Sequence, residues 1–477
     1  MKRAAVVYAS ILGVVLLLIA GLLRLGASLP PPTGSPVAEL PVATADGSAW
    51  EAMQSGLEQN LAHPLSRLFL QILVILAVAR LMGRLFTRLG QPSVVGEMAA
   101  GILVGPSLFG LVAPDAFAFV FPATSLDVLK LLSQVGVCLF MFAVGMELDV
   151  DHVRNRAHTA VAVSHVSIVV PYLLGVALAY FLFSELAAPA ATFTSFALFL
   201  GIAMSITAFP VLARILQERG LTRTALGSTA ITCAAVDDVT AWSLLAFIVA
   251  VTRAASLVGA ALNLVLVLVF IAVMIALVKP GLPRWLGREE LVREEPSAST
   301  LAAVVCVLLV GALCTEVIGI HALFGAFLAG VVMPNEGDFR RKLGVRVGDF
   351  SAVLLLPLFF AFTGLRTQIG LLGDFQGWLL CLAIVAVATV GKLGGSAIAA
   401  RLTGMGWNDS LQLGALMNTR GLMELIALNI GYDLGILPPR IFTMLVLMAL
   451  ATTVLTGPLL TLFRERQAAL AGAPTRS

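Results

Sequence analysis

Asp237 and Asp238 stand side by side in the stretch AAVDDVTAW (residues 234–242), at the midpoint of a long apolar run. Carboxylates bind protons and hard monovalent cations, and in apolar surroundings they must be protonated, paired or wetted. An Asp at the centre of a membrane helix costs about 2.5–3.5 kcal/mol on insertion scales, so two in succession mark a functional position. Adjacent helical residues point about 100° apart, so one partner cannot easily serve both. One carboxylate is therefore expected to face a structural partner and the other a water-filled cavity. Lys392, in VGKLGG (390–395), is the natural partner, because it is equally out of place and an Asp–Lys pair lowers the cost of both charges. Glu97, Lys130, Arg366, Arg420 and Glu424 are the remaining charges inside apolar segments. Arg366, in TGLRTQ, is expected near a helix end with its guanidinium snorkelling outward. His165 and His321 are read as packed or hydrogen-bonded rather than as proton relays.

The elements that hold these charges are membrane helices. The chain has 477 residues, 59% hydrophobic and 12% charged, with a mean hydropathy of +0.99. Soluble domains carry about 25% charged residues, so a polytopic all-α bundle is expected. A net charge of +3 gives no case for a nucleic-acid partner. Cys138, Cys233, Cys306, Cys314 and Cys381 form no C-x-x-C pair and are read as small core residues, not as ligands or disulfides. Neither enzymatic activity nor a cofactor is expected.

Fourteen apolar segments are expected, roughly at 4–23, 65–86, 93–112, 125–147, 159–184, 192–213, 224–251, 256–278, 299–317, 319–334, 350–370, 376–401, 409–432 and 439–463. With a cytoplasmic N-terminus, the inside loops hold 22 of the 30 Lys and Arg residues, which fits the positive-inside rule. The chain then divides into an extra N-terminal helix or signal segment (1–25), a flexible extracytoplasmic linker (26–64), a membrane domain (65–463) and a short cytoplasmic tail (464–477). The inner (plasma) membrane is the expected location.

Two echoes point to inverted halves. GEMAAGILVGP (96–106) and GAFLAGVVMP (325–334) share Gly, four residues, Gly, an aliphatic run and Pro, seven segments apart. SITAFP (205–210) and NTRGLME (418–424) interrupt the sixth and thirteenth segments at matching positions. Paired broken helices are the best sequence pointer to a midplane site, because their freed carbonyls and helix ends face the bound ion. A carboxylate there could hold Na+ or K+ or a proton, never both. Exposed to one side at a time, it would couple the two gradients.

With those residues in hand, the chain resembles the second monovalent cation:proton antiporter family, the Kef-like bacterial and CHX-like plant branch. The resemblance rests on QPSVVGEMAAGILVGPSLFG (91–110), AAVDDVTAW (234–242), IGIHALFGAFLAGVVMP (318–334), LPLFFAFTGLR (356–366) and MNTRGLMELIALNIG (417–431), and covers about residues 65–463. It implies a sodium/proton antiporter-like fold of thirteen core helices with two crossed discontinuous helices, C-terminus cytoplasmic, in a homodimer surrounded by membrane lipid. It also implies a core domain that moves against a dimerisation domain. By the resemblance, Asp238 is the main ion- and proton-binding carboxylate and the site of the monovalent cation. Asp237 pairs with Lys392, and Thr207 lies close to the ion. Arg420, Glu424 and Asn418 match a polar stretch without a definite role. An Asp-Asp pair in this family implies electrogenic exchange. The Kef branch often adds a nucleotide-sensing domain for which this length has no room, which counts against ligand-gated potassium efflux.

Three other classes bear on the same residues. An intramembrane aspartyl protease places its aspartates on facing helices, not adjacent. A channel lined by acidic rings needs neither inverted halves nor a lysine partner. A Na+-coupled solute symporter of related inverted-repeat architecture is the alternative that remains.

Overall fold

The computed structural model describes residue 20 and residues 49–147, 157–189, 191–222, 224–253, 257–293 and 295–470. The expected first apolar segment and most of the linker lie outside the described residues, as do Lys2, Arg3, Arg154, Arg156, Arg223 and Arg476 of the charge pattern. The chain divides into two compact units, Met1–Ala62 and His63–Ser477.

In the first unit Ala49–Ala62 is a helix, α1. This corrects the expectation of an unstructured linker up to residue 64. The stretch AWEAMQSGLEQNLA is rich in Ala, Leu, Glu, Gln and Met, all good helix formers, and the Pro- and Gly-rich part of the tract ends before it.

Among the described residues, the regular structure of the second unit is all helical. Its first half comprises α2 (Pro64–Arg88), α3 (Ser93–Val104), α4 (Leu126–Glu147), α5 (Ala157–Leu186), the broken pair α6 (Phe193–Ser205) and α7 (Phe209–Glu218), and α8 (Ala225–Arg253). A joining helix, α9 (Leu257–Val273), continues through a π-turn to Leu286. The second half comprises α10 (Ala298–Ile318), α11 (Ala322–Val331), α12 (Phe339–Phe350), α13 (Leu356–Arg366), α14 (Phe375–Thr389), α15 (Gly395–Leu402), the broken pair α16 (Trp407–Met417) and α17 (Leu422–Asp433), and α18 (Pro439–Leu470). Among the described residues, eleven helices are long and apolar enough to cross a membrane. The short α11 and the broken α16–α17 occupy the two other expected positions.

Differences from the sequence reading fall at segment ends. Lys279 and Arg284 continue a helix instead of opening a loop, and Arg340, Arg341, Lys342 and Arg346 lie on α12. The tail expected from residue 464 stays helical to Leu470. Cys233 and Cys381 are buried, but Cys306 and Cys314 are exposed. They share α10 with the exposed Val305, Leu309 and Leu313, an apolar surface suited to lipid.

The Gly motif echo has a packing cause. In α3, Gly96 approaches Met82 and Gly83 of α2, and Gly101 packs against Phe360 and Gly364 of α13. In α11, Gly325 meets Gly311 of α10, and Gly330 meets Phe142 and Gly145 of α4. Each motif glycine therefore makes the same contact in the opposite half: Gly96 as Gly325, Gly101 as Gly330. Small residues let membrane helices pack backbone to backbone, where dispersion and not hydrophobicity drives association. These six helices form one group. A second group gathers α5 to α8 and α14 to α18, with α6 against α5, α16 against α15, and α18 against both α14 and α16.

A side chain at Gly101 would collide with the carbonyl oxygen of Phe360, a backbone atom that cannot swing away. Gly101→Ala is expected to cost about 1–3 kcal/mol. Gly344→Ala on α12, where nothing lies within 4 Å, should cost nothing. Thermal melts of the detergent-solubilised protein separate the two; equal melting temperatures would refute the close-packing argument.

Candidate functional site

The site is built where two helices stop. Pro210 weakens a continuous helix, because it has no N–H to bond to the carbonyl four residues back, that of Ile206, and its ring crowds that carbonyl; here it stands in the first turn of α7, where neither matters. The chain turns extended at Ile206 (φ −69°, ψ 137°) and Ala208 (φ −89°, ψ 94°), then α7 begins. The second break spans Asn418–Gly421, between α16 and α17. The two breaks touch. The Ala208 N–H donates to the Thr419 carbonyl at 3.0 Å, and Thr207 Oγ1 lies 3.1 Å from the Met417 carbonyl. Gly421 allows this approach, since a Cβ there would lie 2.8 Å from Val211 Cγ2.

A helix break in a membrane strands carbonyls that no water can reach. Side chains of the opposite half take those of α6. The Arg420 guanidinium, fully buried, donates through Nη1 to the Ala203 carbonyl at 2.6 Å and through Nη2 to that of Met204 at 2.7 Å. The Lys392 ammonium takes the next carbonyl, that of Ser205, and also donates to the Ser167 carbonyl at 2.9 Å. Cations at a helix C-terminus also complement its dipole. Arg420 is balanced by Glu424, one turn on, at 3.3 Å. Its backbone is tied to Thr453 Oγ1, which lies 3.0 Å from the Arg420 nitrogen and 2.7 Å from its carbonyl oxygen.

The two aspartates have opposite surroundings. Lys392 Nζ lies 2.9 Å from Asp237 Oδ2, both side chains fully buried. Thr207 Oγ1 is 2.6 Å from the same oxygen. Ser164 Oγ donates to Asp237 Oδ1 at 2.6 Å, and Ser167 Oγ lies 3.0 Å from each oxygen. Asp237 is thus surrounded by three hydroxyls and an ammonium. Asp238, 1% exposed, has no hydrogen-bond partner on either oxygen among the described residues. The backbone of Phe209, at the positive end of α7, faces it without closing a hydrogen bond. Asn418 is likewise buried, and neither its amide oxygen nor its nitrogen is bonded among the described residues. A buried carboxylate with no donor is stabilised by a proton or by a cation that favours oxygen. Among the described residues no three His, Cys, Asp or Glu side chains gather as a metal cluster.

Sequence reasoning had named Asp237, Asp238, Thr207, Lys392, Arg420, Glu424 and Asn418, and the structure gathers all seven around the crossing. Thr207 touches Asp237, not Asp238. Ser164, Ser167 and Thr453 were missed. The signal for the first two was available in SHVS (164–167): two serines three residues apart share one face of an apolar helix. Arg366 lies at a helix end as expected, but it does not snorkel. Its side chain is 14% exposed and bonded inward to Asn429 at 2.9 Å and Asp433 at 2.6 Å. Glu97, 7% exposed, faces Arg80 at 3.8 Å.

An inverted-repeat bundle whose two broken helices cross over a buried acid has the architecture of secondary transporters. The family model described as "Sodium/hydrogen exchanger, transmembrane" matches residues 73–465, and the chain belongs to that family. It is 43% identical over 389 residues to the Na+/H+ antiporter NhaS4 of Synechocystis sp., covering 81% of this chain and 95% of that protein. It is 37% identical over 434 residues to Cation/H+ antiporter 20 of Arabidopsis thaliana, covering 87% of this chain and 50% of that longer protein. The sodium proton antiporter MjNhaP1 of Methanocaldococcus jannaschii shares the fold, with a TM-score of 0.60 at 13% identity, over 82% of this chain and 97% of that one.

Removing Lys392 strands the fully buried Asp237. Lys392→Ala is expected to cost about 3 kcal/mol, the lower end for a broken buried pair, because the three hydroxyls remain. Adding Asp237→Asn should recover part of that loss. An unshifted melting temperature for Lys392→Ala would contradict the pair's structural role.

Proposed function

We propose that this multi-pass membrane protein exchanges a monovalent cation, Na+ or K+, for protons by alternating access, the two competing for Asp238. The observation that carries this is the contrast at the crossing: Asp237 surrounded by donors and paired with Lys392, Asp238 buried beside it with neither oxygen bonded among the described residues. A site that engages one carboxylate in this way leaves the other for traffic. The printed activities of the relatives, Na+/H+ and cation/H+ antiport, support the same reading.

The group containing α5 to α8 and α14 to α18 is the moving part of this proposal, carrying the crossing past the group built on the Gly motifs. The positive-inside pattern supports a cytoplasmic C-terminus. Exposed Leu65, Phe69, Leu73, Leu81 and Leu85 on α2 leave an apolar surface for lipid or for the second copy of a homodimer. One cation for one proton at Asp238 alone carries no net charge; electrogenic exchange needs a second proton per cycle, which the buried Asp237–Lys392 pair could supply only by separating during transport.

In everted vesicles with a preformed pH gradient, addition of Na+ or K+ should dissipate the gradient without any organic solute. A symporter would require the solute. Asp238→Asn should lower exchange by at least a hundredfold while the protein still folds; full exchange by that variant would end the assignment of the ion to Asp238.

A further inference from the structure

Away from the crossing, a second set of charges joins the two helix groups. Arg366 ends α13, in the group built on the Gly motifs, and its partners Asn429 and Asp433 lie on α17, in the other. The guanidinium donates to Asn429 Oδ1 at 2.9 Å and to Asp433 Oδ1 at 2.6 Å. It lies over two rings, Phe362 of its own helix with its centroid 4.2 Å from the guanidinium carbon and Tyr432 of α17 at 4.8 Å. Lys130 of α4 reaches the same Asp433 oxygen at 3.2 Å. Asn429 ties the groups once more, its Nδ2 donating to Thr363 Oγ1 at 2.9 Å. A planar fork that bonds two acceptors and stacks on aromatic faces is what distinguishes Arg from Lys at such a junction.

The contact borders a cleft. A narrow space of about 30 Å³ is lined by Ser133 of α4, Phe362 of α13, His321 and Leu323 at the start of α11, and Ile430 and Asp433 of α17. Within one turn of Leu323, Phe324 and Phe327 close on Trp242, with ring centroids 5.0 and 6.3 Å apart. Trp242 lies one helical turn beyond Asp238 on α8. Cleft and aromatic contact thus lie between the same two groups, on the side where α4 starts and α13 and α17 end. The opposite side is joined differently. There Gln91, just before α3, donates to the Val454 carbonyl of α18 at 3.2 Å, an uncharged bond.

We propose that Arg366 is a positioning residue whose bond to Asp433 latches the two helix groups on the cleft side, and that this latch must break whenever the carboxylate site turns to face that side. The latch rests on the alternating-access reading. It makes no contact with the ion; it sets which face of Asp238 is covered. Breaking it removes a charge-assisted bond from one conformation only and so shifts the balance between the two.

Opening is read by thiol labelling, without ion flux. In a full-length variant with the five native cysteines replaced, Ile430→Cys places a thiol in the cleft wall, where Ile430 is 4% exposed. Right-side-out vesicles are treated with a membrane-impermeant maleimide. Arg366→Gln and Asp433→Asn should each speed labelling roughly tenfold, with Arg366→Lys in between. Labelling as slow as the parent in both variants would overturn the latch, as would acceleration in Arg366→Gln alone, since the ion pair would then not be responsible. Where Arg366→Gln fails to reach the membrane, the isosteric Asp433→Asn decides by itself. Loss of exchange in the unmutated protein would sink the transport reading while leaving the labelling result intact.

Discussion

Everything at the centre of this molecule follows from one constraint: backbone groups freed by a broken helix inside a membrane must be satisfied by the protein itself. Two helices break at the same crossing, and each stops with carbonyls that water cannot reach. The charges there serve the backbone as well as any ion. Arg420 holds the carbonyls of Ala203 and Met204, and Lys392 holds that of Ser205. The lysine that pairs with Asp237 is thereby fixed by α6, and Asp237 is fixed by the lysine.

That arrangement explains how adjacent aspartates come to differ. They point about 100° apart on α8, so the face packed on α5 takes one and the face toward α7 takes the other. Ser164, Ser167, Thr207 and Lys392 all converge on Asp237. Arg420 and Glu424 balance each other nearby. With those four charges paired off, Asp238 is the one acid at the crossing whose oxygens lack a bonded donor among the described residues. Its availability is a consequence of how fully its neighbour is engaged.

The fold was legible because membranes impose simple rules. Apolar length and the alternation of Lys and Arg located the segments, and the Gly motifs in α3 and α11 exposed the inversion because close helix contacts demand glycine at both ends. The charges of the site were legible for the same reason, since a charge in hydrocarbon needs a cause. Ser164 and Ser167 left only the faint mark of their three-residue spacing: a serine can bond to its own helix, as Ser167 does to the Ser164 carbonyl at 2.8 Å, and so carries no visible penalty. Arg366 misled because a cation at a helix end reaches water cheaply, and nothing local reveals that Asp433, 67 residues away, draws it inward. The segment expected to end at 278 runs on as helix to Leu286, through Pro280 and Pro283.

The two halves are alike in packing and unlike in charge. Gly96 and Gly101 repeat as Gly325 and Gly330, contact for contact. At the crossing the likeness fails. The carbonyl end of α6 is held by a guanidinium and an ammonium, whereas that of α16 is met by the Thr207 hydroxyl and, at Thr419, by the Ala208 N–H. The helix that corresponds to α8 is α18, and the residues it presents to the break are Thr453 and Thr456. A matched scaffold lets inverted halves exchange shapes at little cost in energy, which two-sided exposure requires. A matched site would have the opposite effect. Acids repeated there without a second lysine would leave like charges close together in low dielectric, where they repel strongly. Symmetry in the packing and asymmetry in the charges are therefore complementary requirements of the exchange proposed for this chain.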